Sequence, residues 1–306
     1  MLTSFNQFIC DPDSESRTLG SRVSVESDRT DEKSLNLAPQ TQGTSILHGA
    51  SRLHLGQLNY YEAPKSPDTR SLEGWNLLLG RVTSSALYNY HDQFRSPKCD
   101  EGTRTEVIDE IMTLLSDPHP THGIVCVTGS SGAGKSALLQ TIAEQLSRKR
   151  SPFATFFFSK LDPTRNNTSS VIPTIAYQLG LGNAGLRYIL GITVADDPFL
   201  FTKSLQAQMV SLLIEPVKTL CSSKEMTTDL FSPTILIDGL NECADEGRQA
   251  ELLEAINDSI LDGGQPPFRY ILSSRIGWAI QATFTPQVNW PEHIHHIHFT
   301  MNEKVD

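Results

Sequence analysis

Basic charge is in short supply: 25 Lys and Arg stand against 35 Asp and Glu, a formal net charge of −10 over 306 residues. Phosphate backbones are bound through an excess of Lys and Arg, so nucleic acid is not an expected partner. The longest basic run, Arg148-Lys149-Arg150, suits compensation of a helix C-terminal dipole. Long apolar runs are missing too. Nothing approaches the roughly 18 to 20 residues that span a bilayer, and the acidic start lacks the profile of a secretory leader. Cysteine is scarce: Cys10, Cys99, Cys126, Cys221 and Cys243 are scattered, odd in number and free of C-x-x-C spacing. That disfavours a disulfide framework or a cysteine zinc site, and Cys126 and Cys243 read as small core residues. The expectation is a soluble, cytoplasmic protein without a membrane span.

Apolar residues are also thin over 1–72, which is rich in Ser, Asp, Glu, Thr and Pro. Such a segment cannot offset the entropy of ordering, and it is predicted to be a mostly disordered N-terminal tail. An island at 46–61 has the alternation of a short strand pair. Residues 73–98 are predicted to form a helical linker, with Trp75, Leu78, Leu79, Val82 and Leu87 on an amphipathic helix over 74–94 that docks on the domain C-terminal to it. From 99 to 306 the pattern changes. A capping-box signature at Thr103-x-x-Glu106 opens a helix that ends at Asp117-Pro118. Strand and helix patterns then alternate, with strands near 124–128, 153–159, 234–238, 270–272 and 293–299. Alternation of this kind predicts an α/β domain with a five-stranded, mainly parallel sheet flanked by helices.

Residues 129–136 read G-S-S-G-A-G-K-S, a complete G-x-x-x-x-G-K-[ST] loop between an apolar strand and a helix. Gly129, Gly132 and Gly134 allow backbone conformations that a side chain would block, so the amides of Ser130, Ser131, Gly132, Ala133 and Gly134 can converge on phosphate oxygens. The helix through Lys135, Ser136 and Ala137 adds its N-terminal dipole. Lys135 is placed to reach the β- and γ-phosphates, and the Ser136 hydroxyl to coordinate Mg²⁺.

About a hundred residues later, Ile235-Leu236-Ile237 runs into Asp238. A buried strand that ends in a carboxylate delivers it to the phosphate site, where it holds Mg²⁺ through water. Glu242, four residues on, is a candidate to polarise the attacking water. The competing reading is an acidic helix start made of Glu242, Asp245 and Glu246. Ser273-Ser274-Arg275 closes the 270–272 strand, so Arg275 is a candidate to sense the γ-phosphate charge. Four histidines, His293, His295, His296 and His298, invite a zinc reading. Strand alternation sends them to two faces, which disfavours it.

Together these residues resemble the NACHT branch of the signal-transduction ATPases with numerous domains (STAND), specifically the fungal group related to the nephrocystin-type N-terminal NTPase domain. The resemblance spans about 86–306. It rests on the phosphate loop, D-G-L-N-E-C at 238–243, S-S-R at 273–275, G-T-R-T-E at 102–106 and F-F-F-S-K-L-D-P-T-R-N-N at 156–167. It implies an ATPase core with ATP and Mg²⁺, a nucleotide-controlled signalling switch, homo-oligomer formation on ATP binding, and Arg104 as a nucleotide contact. Two departures stand out. Asn241 occupies the place of a second acid, and an amide cannot act as a base; hydrolysis is then slow and left to Glu242, or lost, leaving an ATP-bound scaffold. The winged helix and C-terminal repeats of the family are not found by residue 306, which is expected of a chain truncated after the NTPase core. Ser159-Lys160-Leu161-Asp162 is superficially like the guanine reader of GTPases but precedes the Asp238 strand, so ATP is preferred to GTP.

Overall fold

Strands buried on both faces need continuous apolar runs, and Ile124–Gly129 (β1), Thr234–Asp238 (β3) and Arg269–Ser274 (β4), whose residues are all buried, carry them in Ile124-Val125-Cys126-Val127, Ile235-Leu236-Ile237 and Tyr270-Ile271-Leu272, with polar residues or glycine at the C-terminal ends. The computed structural model describes residues 67–90, 99, 103–117, 121–222, 232–261, 268–284 and 290–299. All of them belong to one compact unit, Lys65–Asp306. With Phe153–Phe157 (β2) and Ile294–Phe299 (β5), the strands form one sheet in the order β2-β3-β4-β1-β5. Every pairing is parallel. The expected α/β fold with five strands is therefore present.

Helices cover both faces, and strand parity assigns each face its core. Ile124, Cys126, Ile235, Ile237, Tyr270 and Leu272 pack with Val171–Gly182 (α4), Ala184–Asp196 (α5), Leu205–Met209 (α6), Glu215–Ser222 (α7) and Glu246–Leu261 (α8). Val125, Val127, Leu236 and Ile271 pack with Thr105–Ser116 (α2) and Lys135–Lys149 (α3). A π-helical turn, Val210–Ile214, joins α6 to α7. Burial of Cys126 pushes its thiol up to about 12, so this cysteine is core and not a nucleophile. At the C-terminus of α3, Arg148 and Lys149 occupy the last turn and Arg150 caps it in a left-handed conformation.

Two local expectations shift. The helix read over 74–94 is Pro67–Leu79 (α1), and the chain turns at Gly80 and Arg81 into a stretch with one 3₁₀ turn at Ser84–Ala86; residues 91–98 lie outside the described ones. Ser71, Gly74, Trp75 and Leu78 form its buried stripe. A Cβ on Gly74 would fall on the Gly191 carbonyl, so α1 and α5 approach as only glycines permit. The residues after α1 are tied to the core by Thr83 N–H to Thr174 Oγ1 (3.0 Å) and Tyr88 N–H to Thr155 Oγ1 (3.1 Å). Secondly, the N-cap of α2 is Arg104, in a left-handed conformation (φ 59°), not Thr103. The capping-box pattern yields to the contacts that the Arg104 side chain makes with the phosphate loop. The island at 46–61 and the tail at 1–66 lie outside the described residues.

Candidate nucleotide site

The phosphate loop leaves the C-terminal end of β1. Gly132 and Gly134 have φ of 77° and 90°, backbone that L side chains rarely adopt. Gly129 lies so close to the Phe299 carbonyl on β5 that a Cβ would overlap it. The motif glycines are therefore required by geometry. Lys135 is buried, and its ammonium donates to the Gly129 and Ser130 carbonyls, both at 2.8 Å. Burial lowers its pKa, opposed by the charges of Asp238 and Glu242 and assisted by Arg275.

In the sheet order β4 lies between β1 and β3, so the end of β4 sits between the loop and Asp238. Val127 pairs with Ser273, and Ser273 shares its face with Asp238. The Ser273 hydroxyl donates to Asp238 Oδ1 at 2.5 Å and accepts from Gly239 N–H at 2.9 Å. Asp238 also receives the Ser136 hydroxyl. Burial raises the Asp238 pKa, while these two hydroxyls and Lys135 oppose the rise and Glu242 adds to it. One carboxylate beside one hydroxyl, facing a loop of amides, fits Mg²⁺, which takes few protein ligands and completes its shell with phosphate oxygens and water. Among the described residues no group of three or more His, Cys, Asp and Glu is arranged to hold a metal on its own.

The raised pKa sets a pH dependence. A carboxylate can hold a metal only as the anion, and burial keeps the Asp238 proton to higher pH than an ordinary aspartate's. Acidification should therefore weaken Mg²⁺-dependent ATP binding from above the usual carboxylate range. Ser273→Ala removes a donor that favours the anion, so the midpoint should move further up; a midpoint unchanged in titrations of both proteins would refute the role of Ser273. The stability effect has the matching sign: with the folded pKa above the unfolded one, the proton's contribution is present below the unfolded pKa and lost as pH rises through the folded one.

Glu242 and the helix start part company. Asp245 Oδ1 caps α8 through the N–H groups of Gly247 (2.9 Å) and Arg248 (3.1 Å), with Glu246 in the first turn. Glu242 instead accepts the Lys160 N–H on Oε2 at 3.0 Å, close enough to Lys135 and Asp238 to act on both charges. Arg275 is exposed; its guanidinium donates to Ser131 Oγ at 3.0 Å and its N–H to Asn241 Oδ1 at 2.9 Å. Lys135, Ser136, Asp238, Glu242 and Arg275 thus gather at one end of the sheet. Arg104 lies beside the loop with its guanidinium on the Ala133 and Gly134 carbonyls.

The sequence reading missed three partners: Ser273 as the holder of Asp238, the Lys160 amide as the holder of Glu242, and Phe299 beneath Arg104 at 4.3 Å. Only Ser273 had a signal, its parity with Asp238 across adjacent strand ends. Within β5 the histidines divide as strand alternation requires, His295 toward α2 and His296 and His298 to the other face, but His293 stands before the strand and meets α8 on the His296 side, not the His295 side. His296 Nε2 and His298 Nδ1 meet Thr128 Oγ1 (2.7 and 3.3 Å), His295 meets Glu110 and His293 meets Asn257. Asp162 is engaged by Thr164, Ser85 and Arg165.

The model of the family described as "Nephrocystin 3, N-terminal" matches residues 102–275, more than half of the chain. The protein belongs to this nephrocystin 3 N-terminal family. The match begins just before Arg104 and ends on Arg275, so it frames the residues gathered at the sheet end. With its loop and fold, this family member is a nucleotide-binding P-loop NTPase. Solved structures similar to it include a Walker-type ATPase of Pyrococcus abyssi, at 12% identity over 66% of this chain and 56% of that one, TM-score 0.40. Another is Drosophila ORC bound to AT-rich DNA and Cdc6, at 9% identity over 84% of this chain and 37% of that one, TM-score 0.38. The match thus spans little more than half of the first of those chains and about a third of the second. No curated protein matches the sequence. Among the described residues no helix is long and apolar enough to cross a membrane.

Proposed function

We propose that the protein is an Mg²⁺-dependent ATP-binding module that hydrolyses ATP slowly and serves as a nucleotide-controlled signalling switch of the NACHT/STAND kind. The observation that carries this reading is the convergence of Lys135, Ser136 and Asp238, with Ser273 holding Asp238, at the ends of β1, β4 and β3. The amides of Gly129 through Ala137 and the Lys135 ammonium bind the polyphosphate. Ser136 and Asp238, the latter through water, hold Mg²⁺, which when bound neutralises charge on the phosphates. Glu242 orients water and takes its proton on Oε1, since Oε2 is engaged by Lys160. Arg275, joined to the loop through Ser131, reads the γ-phosphate. The base is adenine in this reading, supported by Asp162, whose carboxylate is spent within its own loop and on Ser85 and Arg165. Residues 99–306 form the NTPase domain, the helical linker to residue 98 begins with α1 at Pro67 and not at 73, and the tail is what precedes α1; ATP binding promotes homo-oligomer formation in the cytoplasm.

Asn241 favours a second reading, an ATP-bound scaffold that does not hydrolyse. It cannot act as a base, and its Oδ1 is committed to the Arg275 amide. Incubation with γ-labelled ATP, with and without a chelator, separates the two. Chelator-sensitive phosphate release over hours is expected of the switch; ATP retained without release supports the scaffold, and no retention at all refutes both. Excess unlabelled GTP should fail to displace the label.

A further inference from the structure

Arg104 carries three observations that its expected role as a nucleotide contact does not explain. It is the α2 N-cap at φ 59°, one of two non-glycine residues with positive φ among the described residues. Such backbone costs on the order of 1 kcal/mol and persists only where the surroundings enforce it. Its guanidinium donates through Nη1 to Gly134 O at 3.1 Å and through Nη2 to Ala133 O, and it stacks over Phe299 with Cζ 4.3 Å from the ring centroid. Gly134 leaves room for this: a Cβ there would come within 2.5 Å of Nη1.

The two carbonyls belong to the peptide units that carry the Gly134 and Lys135 N–H groups. In a planar trans peptide, C=O and N–H point in opposite directions. The Gly134 carbonyl is also held by the Leu138 N–H at 3.0 Å, so α3 and Arg104 share that peptide, while at Ala133 the cation draws the carbonyl to one side and so turns the Gly134 N–H to the other. Neither N–H has an intrahelical acceptor, since both stand at the start of α3. We propose that Arg104 is a positioning residue that sets the phosphate-loop amides from behind, with Phe299 as its platform, and does not itself touch base or ribose. The left-handed turn at the α2 N-cap is what aims the side chain at the loop. This inference rests on the nucleotide reading and is separable from it.

The test is calorimetric titration of the whole chain with Mg²⁺-ATP and with Mg²⁺-tripolyphosphate, which has neither base nor ribose. Arg104→Gly removes the guanidinium and suits the positive φ; Arg104→Lys keeps charge and stem but cannot fork onto two carbonyls. Both variants should lose at least about tenfold in affinity for both ligands, while Arg104→Gly melts no lower than Arg104→Lys. ATP affinity falling with tripolyphosphate affinity intact would place Arg104 on the base or ribose and overturn the proposal, as would unchanged affinity for both. Wild-type protein that binds ATP but not tripolyphosphate overturns the brace and spares the nucleotide reading; binding of neither overturns both.

Discussion

Lys135→Ala should lower ATP affinity by about a hundredfold or more while leaving the thermal midpoint within a few degrees of the wild type. The affinity loss follows from removing a charged donor from a buried, water-poor site, worth about 3 kcal/mol for a single charge-assisted contact and so about two decades in Kd. The stability expectation has a separate origin. Burial disfavours the Lys135 ammonium, and its pKa is lowered despite Asp238 and Glu242 nearby. Its two hydrogen bonds go to carbonyls at the head of the loop. Deleting a penalised charge offsets the loss of those bonds, so the fold neither gains nor loses much. Equilibrium dialysis and thermal melts on the same preparations decide the matter. An affinity within threefold of wild type would remove Lys135 from the phosphate site, and a collapsed melting transition would make it a structural residue.

What could be read in the sequence, and what could not, divides along the range of the interactions. The loop, Asp238 and the strand pattern were legible because each is written in consecutive residues: glycine spacing for backbone freedom, an apolar run that ends in one acid. The five parallel strands came from the same local periodicity. The position of β4 between β1 and β3 was not legible, because strand order depends on pairings between residues more than a hundred positions apart, such as Val127 with Ser273. With the order known, the tie between Ser273 and Asp238 is a direct consequence. Arg104 illustrates the opposite failure. Thr103 and Glu106 present a good local cap, yet the chain turns at Arg104 because distant partners, Ala133, Gly134 and Phe299, reward that geometry. Glu242 was ambiguous for a similar reason: three acids in a row of loop and helix start look alike until Asp245 is seen to cap α8 and Glu242 to turn to Lys160.

That separation gives Glu242→Gln its expected effect: phosphate release reduced by about a hundredfold or more, with ATP retained as well as in the wild type or better. A general base contributes about two to four decades in rate, and the amide keeps the shape and the acceptor for the Lys160 N–H while losing the ability to take a proton. Retention holds because Lys135, Ser136 and Asp238 are untouched. Near neutral pH, one fewer negative charge close to Asp238 also relieves the repulsion that helps raise its pKa. Asn241→Asp is the informative companion. Its carboxylate would still accept the Arg275 N–H, and if the amide at this position is what slows turnover, release should rise severalfold. Single-turnover release from preloaded, γ-labelled ATP measures both variants. Release unchanged in Glu242→Gln would exclude this side chain as the base; release unchanged in Asn241→Asp but lost in Glu242→Gln would show that a single carboxylate, held by the Lys160 amide, suffices for this site.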